Sequence, residues 1–135
     1  MYMNILVPVS FEAERDAEQA IEVAGILAGE GARITLLHVV EHVPSYAISY
    51  MSQEFIDETG QAIQAELEKM AEGVENASAV VIEGHSGRSI LDWAEKHEAD
   101  CIVLASHRPG LQDYFLGSTA AQVVRHAGCS VHVLR

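Results

Sequence analysis

A short polar segment that follows an apolar run contains residue types that bind phosphate. Glycine lets a backbone approach a ligand closely, free N–H groups at a helix start attract an anion, and arginine adds a charge-assisted contact. The same residues also fit a Pro-Gly turn followed by a Ser/Thr helix cap, which residue types alone favour. The segment therefore indicates either an anion site or a capped turn. Its residues are Ser106, His107, Arg108, Pro109 and Gly110, and then Gly117, Ser118 and Thr119.

The seven histidines raise the question of a metal site. They form no helical ligand pair, since His38, four residues before His42, lies in a strand-like run, so we predict no metal ion. His38 lies inside an apolar run, where we expect a hydrogen-bonded core histidine. For His107 a role in holding the polar segment is favoured over direct ligand contact. The seven are His38, His42, His85, His97, His107, His126 and His132.

A second serine-containing segment raises the question of nucleophilic catalysis. Gly84-His85-Ser86-Gly87 resembles Gly-x-Ser-x-Gly, but the second glycine position holds Arg88. We expect instead a helix that begins there, with Ser86 as its N-cap. The sequence also has no Walker loop and no pair spaced as catalytic base and nucleophile. Any hydrolysis is therefore expected to be slow at most.

Composition and net charge limit the classes of molecule that the protein is expected to bind. The chain has 135 residues, enough for one domain with a core, and a net charge of −12. Such acidity disfavours nucleic acid and anionic membranes as partners, since both are polyanions. No signal peptide or membrane span is visible, so we expect a cytoplasmic protein. Cys101 and Cys129 are predicted to be buried structural thiols.

Strand and helix patterns alternate along the chain. Four helical patterns separate five apolar runs, which predicts an α/β fold with a doubly wound parallel sheet in three layers. The first helix is expected to end at Gly29 and Gly31, the second near Gly73, the third to cover 87–97, and the fourth to follow Gly117. The predicted strands are Asn4–Val9, Arg33–Val40, Ala79–Glu83, Cys101–Ala105 and Ser130–Leu134.

The strand order decides where a ligand would bind. The order 3-2-1-4-5 is favoured over 2-1-3-4-5, because Ser10-Phe11 stands where a receiver domain has paired acids and no flavodoxin-type phosphate loop is present. Ligands of such sheets bind where the central strands part at their carboxyl ends. This places Pro8, Val9 and Ser10 opposite the stretch from Ala105 to Arg108.

Several long stretches of the chain resemble the universal stress protein family. The stretch ASHRPGLQDYFLGSTAAQVVRHAGCSVHVLR looks like the family's C-terminal signature, and MNILVPVS and ITLLHVVE resemble its first two strands. EGHSGRSILDWAEKHEADCIVLASH resembles the part from the third strand to the fourth. Ser-His-Arg-Pro resembles a short, single-domain branch associated with ATP. The resemblance implies one domain over residues 1–135, with the adenine-nucleotide alpha hydrolase-like fold.

The family's ATP-binding pattern is altered here. Nucleotide-binding members usually carry Gly-x2-Gly-x9-Gly-Ser/Thr, whereas this chain has Ala105 and Arg108 at the first two glycine positions. Eight residues, rather than the nine of the pattern, separate Arg108 from Gly117. Only Gly117-Ser118 matches outright, so the resemblance implies that Arg108 supplies what glycine backbone supplies elsewhere.

The resemblance also assigns roles on the nucleoside side. Ser10 stands where an aspartate usually contacts the nucleoside, and Val39 matches the position whose backbone reads the adenine edge. Gly84 and the two residues after it match the loop that closes over the ribose or phosphates. The implied ligand is ATP, or AMP or ADP, with Mg as a candidate companion ion.

The resemblance implies a regulatory protein of the stress response that forms a homodimer through its C-terminal strand, and it leaves tetramers open. The alternative is a nucleotide-free interaction module of the same fold; a third hypothesis is an ATPase or phosphotransferase that uses His107. The apolar segment from His42 to Met51 is a lid, a partner surface or, as the ordinary outcome, a segment packed against the second helix.

Overall fold

The computed structural model describes residues 1–11, 14–41, 44–106 and 117–135. His42, His107, Arg108 and the predicted Pro109-Gly110 turn lie outside the described residues. The strands are β1 Tyr2–Pro8, β2 Ala28–Val40, β3 Ala77–Glu83, β4 Cys101–Ala105 and β5 Ser130–Leu134. The helices are α1 Glu14–Leu27, α2 Ser45–Ile48, α3 Gln53–Ala71, α4 Ser86–Lys96 and α5 Ser118–His126.

The strands form one parallel sheet in the order β3-β2-β1-β4-β5. The predicted order 3-2-1-4-5 is therefore confirmed, with β3 and β5 as the edge strands. Apolar side chains cover both faces, as the nearly continuous hydrophobic runs predict. One buried cluster packs the sheet against α1 and α3, and the other packs it against α4 and α5. The result is the expected three-layer arrangement.

The second strand begins earlier than its hydrophobic run predicts. It starts at Ala28, directly after α1, because Tyr2 pairs with Ala28 ahead of an irregularity in the β1–β2 register. Gly29 lets the start of β2 lie close to β1, since a Cβ at this position would lie only 2.9 Å from the Met3 sulfur. Gly31 adopts a positive φ of 76°, which glycine tolerates best. Both glycines therefore lie inside β2, because α1 already ends at Leu27, earlier than the predicted end at Gly29 and Gly31.

The helix ends match the predictions in part. The hydroxyl of Ser52 accepts the N–H of Phe55 at 3.1 Å, and α3 ends just before Gly73, whose φ is +78°. Ser86 is the first residue of α4 rather than its N-cap, which is His85, so that prediction is wrong. None of the helices in the described part of the chain combines the length and apolar character that a membrane span requires.

The segment that precedes α3 was predicted, as the ordinary outcome, to pack against that helix, and the structure differs. It contains a fifth, short helix, α2, that the periodicity did not predict. Tyr46 and Tyr50 are largely exposed to solvent instead of packed against α3. Four residues are too few to show a helical period, and hydrogen bonds such as that from Ala47 N–H to the Pro44 carbonyl hold this turn.

Asp100 fastens the amino-terminal end of β1 to the turn before β4. Its carboxylate accepts the backbone N–H groups of Met3 at 2.8 Å and Asn4 at 3.0 Å. Its own N–H donates to the Asn4 carbonyl at 2.9 Å. The Asn4 amide nitrogen donates in turn to the carbonyl oxygens of His97 and Glu98. This network fixes the register of the two central strands.

We expect Asp100→Ala to lower the free energy of unfolding by about 1–2 kcal/mol, because two backbone donors lose their acceptor. Urea denaturation followed by circular dichroism measures the change. Glu95→Ala, at an exposed α4 position, is the control. A loss in the Asp100 variant no greater than in the control would contradict the role of this network.

The Cys101 thiol should be almost unreactive in the native protein. Burial, followed by smaller effects of Cys129 and Asp100, raises the pKa of Cys101 from 9.0 to about 11. Since the thiolate is the reactive form, it should be about a hundredfold scarcer at pH 8 than for an ordinary thiol. A Cys129→Ser variant treated with a thiol-specific chromogenic disulfide should therefore label at the rate of unfolding. Labelling as fast in buffer as in denaturing urea would refute this.

Candidate functional site

The two central strands part at their carboxyl ends. The pairing of β1 with β4 covers Ile5 with Cys101 and Leu6 with Ile102. By contrast, β1 stays paired with β2 up to Pro8, and β4 stays paired with β5 through its last residue. Because the outward pairings continue and the central one stops, a crevice opens between the ends of β1 and β4. This is the switch point at which open α/β sheets bind ligands.

One wall of the crevice is formed by the residues that follow β1. The Val9 N–H donates to the Leu37 carbonyl at 2.8 Å, and His38 Nδ1 lies 2.8 Å from the Val9 carbonyl oxygen. A carbonyl only accepts, so Nδ1 carries the hydrogen and donates. The Phe11 ring stands edge-on to the His38 imidazole with centroids 4.7 Å apart. The hydrogen bond predicted for His38 is present, but the residue is half-buried and not part of the core. The histidine fixes the backbone directly before the exposed Ser10.

The backbone of Val39 faces the same space. Leu37 directs its carbonyl to β1, whereas Val40 directs its carbonyl to β3, where it accepts the Gly84 N–H at 2.9 Å. Alternate residues of a strand present their backbone groups to opposite neighbours, so Val39 presents its own to the β1 side. The β1 ladder has ended at this level. The position can therefore offer backbone donors and acceptors to a flat ligand edge.

The other wall is formed by the residues that follow β4. Ser106 is 8% exposed, and both its N–H, at 2.9 Å, and its hydroxyl, at 3.2 Å, donate to the Leu134 carbonyl. Its side chain thus ties β4 to β5. Gly117 lies against the same point, because a Cβ there would be 3.7 Å from the Ser106 carbonyl oxygen. Ala105, half-buried, is the last residue of β4.

Gly117 is the N-cap of α5 and brings no side-chain cap. Ser118, which is exposed, and Thr119, which is half-buried, form the first turn. The Thr119 hydroxyl lies 2.9 Å from the Ser86 hydroxyl at the start of α4, and either can donate. The N-terminal ends of α4 and α5 therefore lie side by side at the rim. The backbone N–H groups of the first turn of α5 form a ready site for an anion.

A carboxylate already lies at the N-terminal end of α4. Glu41, directly after β2, accepts the Ser86 N–H at 3.2 Å, and its other oxygen lies 3.6 Å from His85 Nδ1. An acid at this position is favoured by the positive end of the helix dipole. Glu41 did not stand out in the sequence; an acidic residue directly after a strand was the available signal. Because the Glu41 carboxylate lies at the start of α4, the start of α5 is the better of the two places for an anion.

Glycines allow α4 to approach its neighbours. Gly84 has a φ of +154°, and a Cβ there would collide with the Ser89 hydroxyl. A Cβ on Gly87 would collide with the Gln122 side chain of α5. A side chain at position 87 would therefore have to displace the Gln122 side chain. Within the described ranges, no three His, Cys, Asp or Glu side chains group closely enough to hold a metal ion.

Solved structures share this fold over nearly the whole chain. A universal stress protein from Lactobacillus plantarum is 30% identical, with a TM-score of 0.73 over 99% of this chain and 98% of that one. A protein solved as a test case of structural genomics has a TM-score of 0.82 at 23% identity, over 99% and 96% of the two chains.

Two further neighbours were solved as complexes. A universal stress protein in complex with cAMP has a TM-score of 0.71 at 19% identity, over 99% of this chain and 97% of its own. The universal stress protein from Archaeoglobus fulgidus in complex with dAMP has a TM-score of 0.70 at 20% identity, over 99% and 98%. At these identities the likeness shows the fold.

Curated relatives and a family model complete the comparison. A universal stress protein of Methanocaldococcus jannaschii is 32% identical over 145 residues, covering 100% of this chain and 83% of that protein. Universal stress protein G of Salmonella typhimurium is 31% identical over 144 residues, covering 100% of both. The model of the universal stress protein family matches residues 1–135. The chain therefore belongs to the universal stress protein family.

Proposed function

We propose that this protein binds an adenine nucleotide in the crevice between β1 and β4 and acts as a regulatory protein of the stress response. The observation that carries the proposal is the separation of these strands next to the start of α5, where Gly117 brings no side-chain cap. The complexes of two fold neighbours with cAMP and dAMP support the choice of adenine. ATP is the proposed ligand, with ADP and AMP as the other candidates.

The nucleoside would lie on the β1 side. The backbone of Val39 would meet the adenine edge, and Pro8 and Val9, held by β2, would form the floor. Ser10 would offer a single hydroxyl where other members have a carboxylate. A hydroxyl carries no charge, so we expect weaker hold on the ribose than an ionised aspartate would give.

The phosphates would lie at the start of α5. Gly117 would let them approach, and the first-turn N–H groups near Ser118 and Thr119 would donate hydrogen bonds to the phosphate oxygens. Arg108 would add the cationic contact that compensates for the missing glycine. The carbonyl of Ser106 lies beside Gly117, while its hydroxyl is bonded to Leu134, so we assign Ser106 and Ala105 to shaping the wall. Gly84 would close the rim, and His107 would hold the loop.

Hydrolysis would be slow at most. Because Glu41 accepts the Ser86 N–H, we assign it to capping α4 rather than to activating a water. Mg²⁺ would then be held mainly by phosphate oxygens and water, as this ion usually is. The cytoplasmic location stays a prediction from the sequence.

We also propose a homodimer through β5. This strand forms one edge of the sheet, and an edge presents unpaired backbone groups that another strand can pair. Val131 and Val133 remain half-buried on it. Sedimentation of the purified protein measures the state, and tetramers remain a further outcome.

Freshly purified protein should release ATP, ADP or AMP in near-stoichiometric amount when it is denatured, as identified by chromatography and mass spectrometry. If the protein is empty, calorimetry with added ATP and Mg²⁺ should give saturable binding. No nucleotide in either experiment would favour the nucleotide-free dimeric module of the same fold.

Side chains of graded size at Gly117 should weaken ATP binding in proportion to their volume. Gly117→Ala should fold normally and lose less than about tenfold in affinity, because its Cβ would make only an ordinary 3.7 Å contact. Gly117→Leu should lose more than about a hundredfold by filling the phosphate position. Gly128→Leu, at an exposed glycine with nothing within 4 Å of its Cβ, is the matched control. Unchanged affinity in Gly117→Leu would remove this glycine from the site.

A further inference from the structure

Four large apolar side chains lie exposed on the segment that links β2 to α3 and on the first turn of α3. Tyr46 is 74% exposed, Tyr50 89%, Met51 39% and Phe55 55%. We refer to these four residues as the α2–α3 surface. They lie within ten residues of sequence, and exposed aromatic and methionine side chains are typical of surfaces that bind another protein.

The backbone beneath this surface is held by hydrogen bonds. The Tyr50 N–H donates to the Ala47 carbonyl at 3.1 Å, and the Ser49 hydroxyl donates to the Tyr46 carbonyl at 2.8 Å. The Ser52 hydroxyl caps α3 through the Phe55 N–H. The exposed side chains therefore project from a defined scaffold.

The first turns of α3 extend this surface along the helix. Leu67 is the one fully buried residue of α3, so the preceding turns contribute little to the core. A shallow groove follows them, bordered by Ile56, Gly60 and Gln64, and Gly60 leaves it open because nothing lies within 4 Å of the position of its Cβ. The length of helix available matches a partner segment of several turns.

The charged Lys, Arg, Asp and Glu residues in the sequence around the α2–α3 surface are all acidic. Between Arg33 and Lys69 the sequence contains no lysine or arginine. Glu54, Asp57 and Glu58 are exposed on the first turns of α3. The exposed apolar side chains thus stand in a stretch of sequence that carries these carboxylates and no lysine or arginine.

The combination of exposed apolar side chains and acidic residues favours some binding partners over others. A second copy would place the same carboxylates against each other across an isologous contact, and an anionic membrane would also be repelled. A partner with lysines or arginines flanking an apolar face would satisfy both features. We propose that the α2–α3 surface binds a basic amphipathic segment of another protein, apart from the nucleotide crevice.

The probe is a fluorescent Leu/Lys peptide of about 18 residues, patterned so that leucines share one face of a helix. Fluorescence anisotropy with the full chain should show saturable binding that weakens about tenfold or more between roughly 50 and 300 mM salt. The same peptide with glutamate in place of lysine should not bind. Equal binding of both peptides, or no binding of the lysine peptide, would overturn the proposal.

Variants distinguish peptide binding at this surface from non-specific attraction to an acidic protein. Tyr50→Ser with Phe55→Ser, and Glu54→Gln with Glu58→Gln, should each weaken peptide binding about tenfold. The controls are Ile26→Ser, which alters an exposed apolar α1 residue, and Glu18→Gln with Glu22→Gln, which removes the same charge from α1. Both controls should bind as the unmodified chain does. Equal losses in test and control variants would mean non-specific attraction and refute the assignment.

Two further measurements test the other occupants. Sedimentation should give the same oligomeric state for the Tyr50/Phe55 double variant as for the unmodified chain, and a shift toward monomer would assign the surface to a second copy instead. ATP affinity should be unchanged in this variant, so a failure here is distinguishable from a failure of the nucleotide proposal. A parallel loss of ATP binding would make the segment a lid and overturn the docking role.

Discussion

The crevice depends on how β1 is held at the centre of the sheet. Ile5, Leu6 and Val7 are fully buried, and their side chains belong to the clusters on both faces. Each such side chain contributes about 1.5–3 kcal/mol by leaving water, so β1 cannot shift without exposing both cores. With the strand fixed and its amino end bonded to Asp100, its carboxyl end is free to diverge from β4. The opening begins where the β1–β4 pairing stops, at the end of this packed segment.

The rim of the crevice is shaped by how two helix starts are satisfied. Glu41 neutralises the N-terminal end of α4, and the Ser86 and Thr119 hydroxyls join α4 to α5. The cap of α5, Gly117, has no side chain to place there. An anion that enters the crevice thus meets one helix end that already has a carboxylate partner and one whose cap brings none. This asymmetry gives a phosphate-bearing ligand a direction as well as a place.

The sequence predicts the parts of the fold that depend on hydrophobic period. Continuous apolar runs such as Cys101–Ala105 give buried parallel strands, and the order 3-2-1-4-5 follows from topology and from the resemblance. The period carries no information about contacts between distant polar side chains, so Glu41 and the hydroxyl pair were not predicted. The capping role of Ser86 failed for the same reason: serine is suited to the cap, but its hydroxyl bonds to Thr119 instead. Helix α2 is too short to show a period.

The two proposed surfaces follow the same strand. Leaving β2, the chain passes Val39, proposed for adenine, then Glu41 at the α4 start, and then reaches α2 and the exposed tyrosines. Val39 is the last residue but one of β2 and the others follow the strand, so a partner on the α2–α3 surface would bind at the same end of the sheet as the proposed nucleotide. Glu41 is the residue between them whose partners, Ser86 and His85, belong to the rim. A ligand that drew the α4 start toward itself would therefore also act on the carboxylate of Glu41, which accepts the Ser86 N–H.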